Sequence, residues 1–303
     1  MNVFSHVLIQ NILPIMLVAS FGYLLRRRFS LHVGTLSTVV FQVLSPCLVF
    51  SSLATSKLPG GELAELVAFS ALNIVVMGGL AFGLARLLRL DRVGSATLMI
   101  VTMFVNGGNY GLTLLHLRNG DDGLSRGVVY YVTSTVMVYT LGVMIASMGR
   151  TDWRGTLGRM LRLPAVYAAL LAIVVYSFNI PIPAPIMSGI TIAGNGAIPV
   201  MLLVLGMQIA DMRPEDNTNY VWPAVGLRLI GGPLVGLAIA TMLGLQGLGR
   251  SSMIVESAMP TAVINLILAS EFSLPTSVVA RIVVFSTLVS PLTIAATITI
   301  LGL

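Results

Sequence analysis

Two stretches hold the residues of this chain best suited to recognition chemistry. The first is "MFVNGGNYGLTLLHLRNG", residues 103–120, whose centre reads Asn106-Gly107-Gly108-Asn109-Tyr110-Gly111. The second is "ESAMPTAVINLILA", residues 256–269, which contains Pro260, Thr261 and Asn265. A carboxamide both donates and accepts, so Asn106, Asn109 and Asn265 suit a carboxylate or a hydroxyl. Their plainer role is to satisfy backbone groups freed by a broken helix. Glycine adopts dihedrals closed to other residues, and proline removes a donor and clashes with the preceding turn. Both stretches therefore interrupt helices. The chemistry implied is binding, not catalysis. No aspartate lies within a predicted apolar span, and His6, His32 and His116 are dispersed, without metal-ligand spacing. A membrane-embedded enzyme is not expected, nor is a resident cofactor.

Glu256 stands one turn before Pro260. A carboxylate inside an apolar run is costly and is read as functional by default. With Asn73 it is a candidate for coupling to H⁺ or Na⁺. The plainer alternatives are that Glu256 meets water at the outer end of its span, or pairs with Arg281 or Arg126. No cluster of carboxylates and hydroxyls marks a Na⁺ site, which favours protons or uncoupled movement. Asn73 and Gln208 are isolated polar residues that either line a cavity or bond helix to helix. Ser45, with Pro46 and Cys47, interrupts another apolar run and is a candidate substrate contact. His116 and Arg118 are expected in solvent.

The elements that must position these residues are membrane helices. The chain has 303 residues, 56% hydrophobic and 9% charged, against roughly 25% charged in soluble domains. Its mean hydropathy is +0.95. The apolar runs are continuous rather than alternating, which predicts helices and not a β-barrel. Ten spans are predicted, at 3–25, 34–55, 63–88, 94–117, 124–148, 163–180, 185–209, 220–243, 250–271 and 276–301. Alternating sides give eleven arginines to one face (Arg26, Arg27, Arg28, Arg86, Arg89, Arg92, Arg150, Arg154, Arg159, Arg162, Arg213). The other face receives Lys57, Arg118 and Arg250, and Arg126, Arg228 and Arg281 fall within or at the edge of spans. The positive-inside rule then predicts a multi-pass protein of a bacterial inner (plasma) membrane with both termini outside the cytoplasm. The net charge of +6 is topological and implies the lipid bilayer, not nucleic acid, as partner. A single cysteine, Cys47, excludes an internal disulfide. The first run carries its positive cluster after it, unlike a cleavable signal.

The halves 1–150 and 151–303 resemble each other. "RGVVYYVTSTV" from Arg126 aligns with "RIVVFSTLVSP" from Arg281, an offset of 155. "SPCLVFSSLA" from Ser45 aligns with "IPVMLLVLGM" from Ile198, placing Pro46 on Pro199 at an offset of 153. Five spans per half would enter the membrane from opposite sides, giving an inverted repeat. The offset carries Asn106-Gly107 onto Met259-Pro260, so spans four and nine are interrupted in register. Matched interruptions point to a transporter's binding site at the bilayer midplane. Close helix packing through glycine is the plainer reading.

At these residues the chain resembles the auxin efflux carrier family and its bacterial members. The family pattern Asn-x-Gly-Asn-x-Gly-Leu-Pro-Leu is similar to Asn106–Leu114, and "SAMPTAVINLILASEF" is similar to its ninth span. "GAIPVMLLVLGMQIA" and "LSPCLVFSSL" resemble its seventh and second. The resemblance implies an all-α membrane fold of ten spans with broken, crossing helices 4 and 9. It implies alternating-access transport of a small organic anion, such as malonate in bacterial members or auxin in plants. It implies a scaffold (spans 1, 2, 6 and 7), a transport domain (spans 3–5 and 8–10) and a homodimer through the scaffold. Substrate would meet Asn106, Gly107, Asn109, Pro260, Thr261 and Asn265 at the crossing, with Ser45 and Gln208 nearby. Thr113 stands where the pattern has proline, and the long loop of many plant members is absent. A Na⁺-coupled bile-acid-type symporter and a non-transporting receptor are the alternatives.

Overall fold

A computed structural model describes residues 3–55, 58, 60–147, 164–178, 180–211 and 219–303. Lys57, Arg150, Arg154, Arg159, Arg162 and Arg213, on which part of the charge asymmetry rests, lie outside the described residues. The described chain runs α1 (Val3–Arg28), α2 (Val33–Ala54), α3 (Gly61–Leu87), α4 (Arg92–Met103), α5 (Gly107–Ala146), α6 (Pro164–Ser177), α7 (Ala184–Asp211), α8 (Val221–Met242), α9 (Gly247–Ser257), α10 (Ile264–Glu271) and α11 (Thr276–Leu301). Among the described residues, seven of these (α1, α2, α3, α5, α7, α8, α11) are long and apolar enough to cross a membrane, and α4 and α6 are shorter apolar helices. The all-helical membrane class expected from composition holds.

Local chemistry explains several boundaries. Asp91 caps α4, accepting from the Gly94 amide at 2.8 Å, the ordinary way to satisfy a free N-terminal donor. α4 ends at Phe104, whose backbone is extended. α5 folds into two limbs at Gly120, where φ is +59° and ψ −150°, a conformation favouring glycine. α5 also opens on a π-helical turn, Gly107–Gly111, and α8 contains another, Leu227–Gly231. Such turns are rare and concentrate at functional sites.

The helices pack in two groups. In the first, α1 lies along α7 and α2 packs against α6 and α7. Gly22 and Gly206 are indispensable to the α1–α7 crossing: a methyl group on either would run into backbone, Leu203 or Ala19 respectively. Small residues let helix backbones approach where lipid offers no hydrophobic drive. Arg26 Nε bonds Asp211 Oδ1 at 2.6 Å between the ends of these two helices. In the second group α3 packs against α4, α5, α8 and α9, and α11 against α8 and α10. Arg126 grips Glu62 with two bonds, 2.6 and 2.9 Å, tying α5 to α3. The groups meet where α1 packs against α11, where α7 touches the first turn of α5, and where α2 touches the second limb of α5. There Ser45 Oγ lies 3.0 Å from Tyr131 OH, and Ser52 Oγ lies 3.3 Å from Ser125 Oγ. The outer faces expose Leu17, Phe21, Leu24, Phe82, Leu170 and Ile192, an inside-out pattern suited to lipid.

Candidate functional site

The site is built where two helices stop. α4 ends before Phe104-Val105-Asn106, and α9 ends before the loop around Pro260 and Thr261. These segments cross and pair as an isolated antiparallel bridge between Val105 and Thr261. Asn106 N donates to Pro260 O at 2.8 Å, and Ala262 N donates to Phe104 O at 3.0 Å. Backbone freed by the two breaks is thus satisfied by the other break, as membrane depth requires. Side chains finish the accounting. Thr261 Oγ1 donates to Val101 O at 2.8 Å, and Asn265 Nδ2 to Phe104 O at 3.1 Å. Ser286 Oγ accepts from Thr261 N at 3.2 Å. Asn106 O receives the amides of Tyr110 and Gly111, starting α5.

Beside the crossing is a cavity of about 550 Å³, within the usual range for small-molecule sites. Asn106, Gly108 and Asn109 form one wall, and the lining continues with Gln42 of α2, Gln208 of α7 and Tyr131 of the second limb of α5. Val40, Phe41 and Val138 give it an apolar side. The described lining has no ionised side chain. Asn106 is only 5% exposed, and its Nδ2 finds no hydrogen-bond partner among the described residues; Gln208 Oε1 is likewise unmatched. Buried polar atoms are rarely left so.

The sequence candidates therefore divide. Asn106, Asn109 and Gln208 line the cavity. Thr261 and Asn265 are fully buried and hold the crossing together, and Pro260 contributes its carbonyl to it. Ser45 stands one bond behind the cavity wall, through Tyr131. Asn73 accepts from Tyr130 OH at 3.1 Å, in the core. Thr113, at the position of the pattern's proline, donates its hydroxyl to Asn109 O at 3.0 Å within α5. His116 pairs loosely with the exposed Asp121 at 3.6 Å, and Arg118 donates to the carbonyl of Leu303.

Glu256 is in neither of its plainer places. It is 0% exposed, and neither of its carboxylate oxygens has a hydrogen-bond partner among the described residues, so it pairs with neither Arg281 nor Arg126, the latter being committed to Glu62. Its carboxylate lies against three glycines: a methyl group on Gly107 would come within 2.6 Å of Oε2, one on Gly127 within 3.1 Å of Oε1, and one on Gly111 would collide with the whole group. Two of the glycines in "NGGNYG" thus make room for a carboxylate at the start of α5, where the helix end is positive. Gly107 is consequently part of the carboxylate's seat and not of the cavity wall, which Gly108 supplies.

Sequence reading alone missed two features. Gln42, Tyr131, Ser134, Thr135 and Tyr139 line the cavity, and nothing in their spacing says which helix face is inward. Arg228 is fully buried beneath the crossing; the only signal was an arginine inside an apolar run.

The chain is similar to known membrane transport proteins. A family model described as membrane transport protein matches residues 7–153 and 153–298. An uncharacterized transporter of Methanothermobacter thermautotrophicus is 26% identical over 290 residues, covering 93% of this chain and 94% of the relative. Another, of Methanocaldococcus jannaschii, is 22% identical over 275 residues, 87% and 88% of the two chains. A probable auxin efflux carrier component, 3b, of Oryza sativa subsp. japonica is 27% identical over 169 residues, 54% of this chain and 28% of that protein. The chain belongs to the membrane transport protein family that includes the auxin efflux carriers.

Proposed function

We propose that this membrane transporter carries a small organic anion by alternating access, binding it in the cavity beside the crossing. The supporting observation is Asn106: a buried carboxamide with an unmatched donor, on the cavity wall, at the positive end of α5. A substrate carboxylate would accept from Asn106 and Asn109 and lie near that helix end, as anions commonly do. Gln208 and Gln42 would meet a second polar group. The apolar side formed by Val40, Phe41 and Val138 suits an acid with a hydrocarbon body, so malonate and an auxin-like aromatic acid are both to be tried.

On this reading the chain makes ten crossings in two inverted halves, 1–150 and 151–303, with α4/α5 and α9/α10 as the broken pair. The α1–α2–α6–α7 group is the scaffold, through which a homodimer would form, and the other helices are the moving body. The cavity is lined by Val33, Pro164 and Gln208, beside the connections rich in arginine. It therefore opens towards the cytoplasm, in an inner membrane with both termini outside. The Ser52–Ser125 and Ser45–Tyr131 contacts then belong to the closed side of the carrier.

Glu256 is the proposed proton carrier, with Tyr130 as its titratable neighbour and Asn73 behind Tyr130. Transport without a coupled ion, and Na⁺-driven symport of the bile-acid type, are the other couplings to be tested. The decisive measurement is thermal stabilisation of purified protein by mono- and dicarboxylates, at two pH values, with and without Na⁺. Uptake of the best stabiliser into proteoliposomes follows. Asn106→Ala should reduce that uptake roughly 10–100-fold, the worth of one hydrogen bond to a charged group. Unchanged uptake would remove Asn106 from the site. Stabilisation only in Na⁺ would favour the symporter, and binding without uptake a receptor.

A further inference from the structure

Arg228 sits in the π-helical turn of α8 and is 0% exposed. An arginine in the membrane normally snorkels or pairs with a carboxylate. The hydrogen bonds of Arg228 instead run to backbone. Nη1 donates to Thr102 O at 2.5 Å, and Nη2 donates to the carbonyl of Ser257. Thr102 is the next-to-last residue of α4, and Ser257 is the last residue of α9. One guanidinium therefore caps both helices that end at the crossing. Each helix C-terminus carries about half a negative charge, so the two together make about one.

The surrounding sequence accommodates this reach. A methyl group on Gly232, one turn on, would strike Arg228 Nη2 and the Ser257 carbonyl; one on Gly236 would strike the Ser257 side chain. This Gly-x-x-x-Gly spacing brings the end of α9 against α8 and leaves the guanidinium a channel along the helix.

We propose that Arg228 is a built-in cation of the crossing: its charge joins the two half-helix ends and holds the Val105–Thr261 bridge, and with it Asn106, in register. Arg228 does not line the cavity, so it is a positioning residue. The charge, and not only the pattern of N–H donors, is what the two carbonyl ends require. The inference is independent of which anion is carried, and its test uses no substrate.

The experiment is thermal unfolding of the purified full chain in detergent. Arg228→Lys retains the charge, and Arg228→Gln retains N–H donors without it. The expected order of Tm is Arg above Lys above Gln, with Gln roughly 10 °C below the native chain, as for breaking a buried charge pair. Arg228→Ala opens a space for an external guanidinium. Millimolar guanidinium, compared with tetramethylammonium at equal ionic strength, should raise the Tm of Arg228→Ala and leave the native chain unmoved. Should Arg228→Ala fail to fold, the Lys–Gln order decides. A Gln variant as stable as the Lys variant, or an alanine variant indifferent to guanidinium, would overturn the proposal.

Discussion

The amide of Asn106 donates to the carbonyl of Pro260 across 2.8 Å, joining positions 154 residues apart in the chain. On the proposed function, that one bond frees an asparagine side chain for recognition. Its backbone is held from the opposite half of the protein, and its side chain is left for the cavity. Asn265, five residues beyond Pro260, uses its side chain the other way, to hold Phe104.

Asn265 and Asn109 should therefore respond differently to alanine. Asn265→Ala removes a buried bond and leaves Phe104 O with the Ala262 amide alone, a loss of about 1–2 kcal/mol of stability. Transport by the protein that survives should keep its KM. Asn109→Ala should leave the melting temperature nearly unchanged and raise KM. Parallel melts and uptake curves separate the two roles, and a raised KM for Asn265→Ala would return that residue to the binding site.

The seat of Glu256 is testable as a shape. Gly111→Ala places a methyl group into the carboxylate and should destabilise by about 1–3 kcal/mol, as overpacking does. Truncating the other partner removes the collision, so Gly111→Ala should cost much less in a Glu256→Ala background. A double-mutant cycle on melting temperature measures the difference. Additive losses would mean that the two groups do not meet.

On the proposed alternating-access cycle, the contact between Ser52 and Ser125, 3.3 Å between hydroxyl oxygens, would offer a lock on the closed side. With Cys47 replaced by serine, Ser52→Cys/Ser125→Cys should form a disulfide on mild oxidation. Oxidised carrier should lose nearly all uptake in proteoliposomes, and dithiothreitol should restore it. Full activity of the oxidised form would mean that α2 and α5 do not part during the cycle.

The pairing of "NGGNYG" with "MPTAVIN" was legible because each half breaks a helix in its own way and the offset of the halves brings the breaks together. The structure joins those residues, with Asn106 on Pro260 and Val105 beside Thr261. The all-helical membrane class followed from composition with equal directness. Other features depend on distances that spacing does not encode. Glu256 and Gly111 meet only because α9 ends beside the start of α5. Arg228 reads as one more charge in an apolar run until both helix ends are seen to converge on it. The cavity face of α5, with Tyr131, Ser134 and Thr135, follows from a helix rotation that an evenly apolar segment does not reveal.

The crossing also makes the two halves of the chain incomplete without each other. Residues 104–106 carry one edge of a tiny two-sided ladder and residues 260–262 the other, so a half-length fragment would present raw amides and carbonyls to hydrocarbon. Co-expressed as separate polypeptides, the halves would have a strong reason to find one another, and each should be cleared from the cell when made without its mate.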